Sequence, residues 1–129
     1  MTDKLLKVGE YKDVFNRILN INIKQHEIYR STGLQTHMIK RKHFNCLKYI
    51  DSISEIIEQP DYIGVNPNES DDSIEFIKRY DKNVIVGVKV SKENDYLYIS
   101  TMHDIQESKI QRRLHSGRLK IFEKEVDTK

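Results

Sequence analysis

The chain has one cysteine, no tryptophan, two prolines and five glycines among its 129 residues. A lone thiol, Cys46, excludes an internal disulfide and a cysteine-built metal site. Its neighbours Phe44, Leu47 and Ile50 make it a buried, inert group rather than a nucleophile. No stretch approaches the ~20 apolar residues that span a bilayer. The opening MTDKLLKVGE has no apolar run of signal-peptide length. A soluble, cytoplasmic protein without membrane contact is expected. There is no glycine-rich phosphate loop, and the HExxH, GxSxG and EF-hand patterns are missing. Five histidines (His26, His37, His43, His103 and His115) are scattered without metal-ligand spacing, so neither a metal nor another cofactor is expected.

Periodic clusters of Ile, Tyr, Leu and Val at 37% hydrophobic content describe a folded chain, and residues 1–129 read as a single domain. The net charge of +2 says little, but its distribution says more. Between residues 49 and 77 there is no Lys or Arg, while Asp51, Glu55, Glu58, Asp61, Glu69, Asp71, Asp72 and Glu75 are acidic. Basic residues flank this stretch: Lys40, Arg41, Lys42 and Lys48 before it, Lys109, Arg112, Arg113, Arg118 and Lys120 after it. Brought together by the fold, the two basic segments would form one phosphate-attracting surface; the plainer reading is two separate solvated faces.

Residues 5–10 read as a short strand and 11–20 as a helix with Val14, Phe15, Ile18 and Leu19 on one side. Residues 27–31 are an extended piece running into a Thr32–Gly33 turn. From 35 to 58 the spacing is helical, with Leu47, Ile50, Ile53 and Ile57 as an apolar stripe. A break at Phe44–Asn45 divides it, with Asn45 capping the second piece, and Pro60 ends it. A strand at 61–66, a loop at 67–72 and a short helix at 73–80 follow. Strands at 83–90 and 96–102 flank a SKEND turn, residues 105–115 are amphipathic, and a Ser116–Gly117 turn leads to a last strand at 118–123. Helices first and strands after argue for an α+β domain rather than a parallel α/β one.

The densest chemical cluster is HMIKRKH, residues 37–43. On a helix His37 and Arg41 share a face and Lys40 borders it, setting a proton-transfer group beside fixed positive charge. RNA cleavage needs that combination: a base for the 2′-hydroxyl, an acid for the leaving 5′-oxygen and cations for the charged phosphorane. A solvated basic helix with a surface histidine is the plainer reading. His43 falls with Ile39, Cys46 and Ile50 on a continuous helix and would then be a core histidine, unless the helix breaks at Phe44. A second cluster, Ser100 to His103, ends a strand; alternation puts Thr101 and His103 on the face of Leu97 and Ile99, and Ser100 with Tyr96 and Tyr98. A hydroxyl there can hold a phosphate, or Thr101 is only a good strand former. Arg118 in the last turn, and Arg30 in EIYRS, suit phosphate because a guanidinium donates two parallel hydrogen bonds, though either can be an ordinary surface arginine.

The ordered set IYRS, GLQTHMIKRKH, an amphipathic helix ending in QPDYIG, a hairpin ending in YISTMHD, and HSGRLK resembles the BECR-fold (barnase–EndoU–colicin–RelE-like) nuclease domains of phages and mobile elements. The resemblance spans about 27–120. It implies N-terminal helices packed on a twisted, mainly antiparallel sheet of about four strands. It also implies a toxin-like, metal-independent endoribonuclease whose product carries a 2′,3′-cyclic phosphate, with RNA, transfer RNA among the candidates, as substrate. An antitoxin or immunity protein would be its partner. Carried onto this chain, the family's histidine falls on His37, with Lys40 or Arg41 and His43 in the same segment, the hydroxyl on Thr101 and the arginine on Arg118. Catalytic roles are thus expected for His37, Lys40, Thr101 and His43, and substrate contacts for Arg30, Arg41, Lys42 and Arg118. Related segments place a proline where this chain has Phe44. The alternative is a non-catalytic RNA- or protein-binding module on the same fold.

Overall fold

The computed structural model describes residues 4–42, 44–68, 73–91 and 93–122, with Phe44 described in its backbone only. Helices and strands are interleaved: β1 (Leu5–Glu10), α1 (Asp13–Leu19), β2 (Glu27–Ser31), α2 (Leu34–Lys40), a 3-10 helix (Phe44–Ser52), α3 (Ile53–Glu58), β3 (Tyr62–Val65), β4 (Ser73–Arg79), β5 (Asn83–Ser91), β6 (Tyr96–Asp104), α4 (Glu107–Ser116) and β7 (Leu119–Ile121). Seven strands form one sheet in the order β1-β2-β6-β5-β4-β3-β7. All pairings are antiparallel except that of β2 with β6. The α+β class expected from the sequence stands. Its detail is corrected: seven strands replace about four, and they do not simply follow the helices.

The main correction is at 73–80, expected to be a short helix and found as the interior strand β4. Ile74 and Phe76 enter the core under the N-terminal helices, while Ile77 packs under α4. All residues from Ser73 to Ile77 are therefore buried. A strand covered on both faces loses the polar–apolar alternation that marks strands, and Ile74 and Ile77 at a three-residue spacing imitate a helix.

One face of the sheet carries α1, α2, the 3-10 helix and α3, whose Phe15, Met38, Ile53 and Ile56 meet Val84, Val86, Val88 and Leu97. With 7, 7 and 6 residues, α1, α2 and α3 fall below the ~12–15 at which helices hold alone. Packing holds them, each buried Ile, Leu or Phe contributing about 1.5–3 kcal/mol. The helical stretch breaks slightly earlier than Phe44–Asn45: α2 stops at Lys40, Arg41 is its C-cap, and Lys42 adopts a φ of 60°. On the other face Ile110 of α4 packs with Ile77, Ile85 and Leu119. Arg79 at the end of β4 grips Glu107 at the start of α4, Nη2 donating to Oε2 at 2.9 Å and Nη1 to Oε1. That guanidinium, then the Gln111 amide, holds the Glu107 carboxyl down to about 2. The tie therefore contributes fully above the ordinary carboxylate range and is lost as pH falls toward 2. Among the described residues no helix is long and apolar enough to cross a membrane.

A β-bulge decides which β6 side chains face which layer. Gly87 pairs with Thr101 and Val88 with Ile99, so Ser100 is an extra residue. The alternation resets there. Leu97, Ile99 and Met102 share the helix-covered core, whereas Thr101 and His103 pair with Gly87 and Ile85 on the α4 side. The expectation that Thr101 and His103 lie on the face of Leu97 and Ile99 is corrected by that single residue.

Two glycines place the end of the chain. Gly117 caps α4 at φ 86°, a left-handed conformation, and turns the backbone into β7. At Gly64 an added Cβ would stand 2.4 Å from the Arg118 carbonyl oxygen, so β7 can dock only on a bare backbone. Gly64→Ala is expected to cost about 1–3 kcal/mol in urea unfolding. Gly9→Ala, whose Cβ would meet only Ile57 at 3.6 Å or more, should be neutral or gain up to about 1 kcal/mol. Equal effects at the two positions would refute the close approach.

Candidate functional site

The parallel ladder between β2 and β6 ends at Tyr29 and Tyr98. Beyond it a pocket of about 220 Å³ is lined by Ser31, Gly33, Leu34, His37, Ile99 and Ser100. Leu34 and Met38 are buried and pin α2 to the sheet. His37 borders their stripe and is left half-buried at the pocket wall. The turn before the helix is fixed locally: Gly33 N–H donates to Ser31 Oγ at 2.9 Å, and the Gly33 carbonyl accepts from His37 N–H at 3.0 Å. Ser100 lines the same pocket from β6, its hydroxyl donating to the Gly87 carbonyl of β5 at 3.1 Å. Among the described residues the His37 ring has no hydrogen-bond partner. An unpartnered imidazole beside the Ser31 hydroxyl, which accepts from Gly33 and keeps its own proton to donate, can move a proton on a bound group while that hydroxyl orients an oxygen.

The other expected residues divide between the two faces of the sheet. Arg41 lies one turn after His37, its N–H bonded to the His37 carbonyl at 3.0 Å. With Lys40 and Lys42 it is exposed, and none of the three lines the pocket. Arg30 lies in an adjoining pocket of about 170 Å³ with Leu6, Asp51 and Ser54. Its Nη1 donates to the Ser31 carbonyl at 3.2 Å, bracing a residue of the His37 pocket. His43 lies outside the described residues. Thr101 and Arg118 belong to the α4 side. The two basic segments do not merge into one surface, because buried Leu34 and Met38 hold α2 on one face and Ile110 holds α4 on the other. Thr101 does not line the His37 pocket; the β6 hydroxyl residue that does is Ser100, with its hydroxyl turned to the Gly87 carbonyl. Alternation alone could not have found it, since a bulge leaves no mark in the pattern of side chains. Cys46 is buried, and burial pushes its thiol up to about 12. Among the described residues no three His, Cys, Asp or Glu side chains gather as metal ligands.

Sequence reasoning also missed Glu75. It sits on the α4 face of β4 at 6% exposure, inside the stretch that reads as solvated acid. Arg118 forks onto it, Nε donating to Oε1 at 3.2 Å and Nη2 to Oε2 at 2.9 Å, and Arg113 Nη1 donates to Oε2 at 3.3 Å. A buried carboxylate needs such partners, and it fixes the direction of both guanidinium groups in return.

A family model described as phage-Barnase-EndoU-ColicinE5/D-RelE like nuclease3 matches residues 6–112. The chain belongs to this nuclease family. The match contains His37, Lys40, Arg41, Thr101 and the whole His37 pocket, and it ends before Arg118. For this nuclease-family chain no curated protein and no solved structure is matched.

Removing Glu75 should expose how far it organises the α4 side. Glu75→Ala leaves two arginines, each about a fifth exposed, without their shared acceptor and is expected to destabilise by about 2 kcal/mol. Urea unfolding measures it, and an unchanged midpoint would show that the arginines find water as good a partner.

Proposed function

We propose that the chain is a metal-independent endoribonuclease that cuts RNA at the His37 pocket. The observation that carries the reading is an imidazole without a side-chain partner among the described residues, sharing a pocket with Ser31 and Ser100, in a chain of a nuclease family. In this scheme His37 takes the proton of the 2′-hydroxyl, and the resulting oxygen attacks the adjacent phosphorus. The bond to the 5′-oxygen breaks, leaving a 2′,3′-cyclic phosphate, and the departing oxygen is protonated by His43. Ser31 orients a phosphate oxygen, Ser100 does so once its hydroxyl turns from the Gly87 carbonyl, and Arg41 with Lys40 and Lys42 adds positive charge beyond the pocket. Arg30 is a positioning residue acting through Ser31. The hydroxyl role first expected of Thr101 passes to Ser100. Transfer RNA is the first substrate to try, and an antitoxin or immunity protein the first partner.

The test is incubation with total RNA in excess chelator, reading the product ends. Cyclic phosphates are expected. His37→Ala should slow cleavage about 10²–10⁴-fold with an unchanged circular-dichroism spectrum, and Ser100→Ala about 10²-fold. Thr101→Val should stay near the parent rate. RNA that survives intact at every protein concentration sinks the reading. Binding without cyclic product, unaffected by His37→Ala, would instead favour a non-catalytic RNA-binding module, which the basic pocket on the α4 side also supports.

A further inference from the structure

On the α4 side lies a pocket of about 290 Å³ lined by Lys109, Arg112, Arg113, Ser116 and Arg118. Lys109, Arg112, Arg113 and Ser116 follow helical spacing and share one face of α4. Arg118 joins them because the Gly117 turn and the bare backbone at Gly64 bring the start of β7 alongside. Four cations line this space, and among the described residues the carboxylate bonded to them is Glu75, which takes Arg113 and Arg118. Tying down Glu75 explains Arg113 and Arg118 but not the others. Lys109 and Arg112 have no side-chain partner among the described residues. Repulsion among four clustered cations is a standing cost unless an anion enters.

The geometry suits a phosphate. Arg118 spends Nε and Nη2 on Glu75 and Arg113 spends Nη1. Their remaining N–H groups are held in fixed directions beside Lys109 and Arg112. Fixed guanidinium forks are strong phosphate donors because little freedom is lost on binding. The volume equals that of about ten liquid waters, enough for a phosphate and part of its sugar. Among the described residues no histidine lines the pocket, so these side chains grip without offering proton transfer. The His37 pocket has the opposite make-up: an imidazole, two serines and, among the described residues, no lining cation.

We propose that the α4 pocket is a backbone-phosphate site for RNA, holding the strand at a nucleotide away from the bond presented to His37. The proposal rests on RNA being the substrate, but not on its being cut. It is tested with the native chain and a labelled RNA whose 2′-hydroxyls are methylated, so that cleavage cannot interfere. Affinity is measured by fluorescence anisotropy across a series of KCl concentrations. Lys109→Ala with Arg112→Ala, both outside the Glu75 cluster, should weaken binding about tenfold at 0.1 M salt. The slope of log affinity against log salt should also fall by about 1.4, about 0.7 for each single-strand phosphate that is no longer neutralised. Arg112→Glu should weaken binding further. An unchanged slope and affinity in the correctly folded double variant overturn the proposal. So does a double variant that loses adhesion to phosphatidylserine vesicles, or affinity for inorganic phosphate alone, with its RNA affinity untouched. A failure of the parent to cut ordinary RNA bears on His37 and not on this site.

Discussion

Seven strands at a spacing of about 4.8 Å make a sheet about 29 Å wide, and the need to hide its two apolar faces governs the rest of the fold. Four helical segments cover one face, whereas α4 alone packs on the other. A single helix is about 10–12 Å across, so α4 shields Ile77, Ile85 and Leu119 and stops short of the β2–β6 pair. Half-buried side chains occupy what is left: Tyr29, Tyr96 and Tyr98, with Lys89 and Thr101. Tyr29 and Tyr96 meet edge to face with centroids 5.1 Å apart. The shortage of cover on this side is also why β4 carries Glu75 here. With arginines arriving from α4 and from the approach to β7, a carboxylate can be buried where another isoleucine would otherwise be needed.

The bulge at Ser100 is the smallest feature with the largest effect on the proposed chemistry. A period-two strand assigns its side chains to faces for its whole length, so one extra residue exchanges every assignment beyond it. Without the bulge Met102 would turn away from the core that it now fills. With it, Ser100 lies opposite α2 at the point where β2 leaves β6 unpaired. The gap beside His37 therefore lies where two local irregularities meet, a ladder that stops and a strand that gains a residue.

Much of the framework was legible in the sequence. The strands at 83–90 and 96–102 announce themselves by β-branched runs, α2 follows its Thr32–Gly33 turn, and Ser116–Gly117 marks the return into β7. The strand β4 was hidden because burial on both faces erases alternation. The Arg113 and Arg118 bonds to Glu75 were hidden because they cross 38 and 43 residues of chain, and an acidic stretch gives no sign of which member turns inward. Basic segments on either side of that stretch look equivalent as sequence. Only the packing of Leu34 and Met38 on one face and Ile110 on the other separates them, and that depends on the path of the whole sheet. The HMIKRKH segment shows the same limit: helical spacing joins His37 to Arg41, but not to the β6 serine that lines its pocket.

Separating the histidine from the densest positive charge has a physical advantage. Like charges repel, so keeping the α4-side cations on the other face of the sheet avoids crowding the pocket of the proposed base with fixed charge. Fixed charge on the far side can gather RNA over a distance of roughly a Debye length, about 10 Å at 0.1 M salt, without that penalty. The arrangement also makes length matter. The two pockets lie on opposite faces of the sheet, so one strand that reaches both has to pass around it.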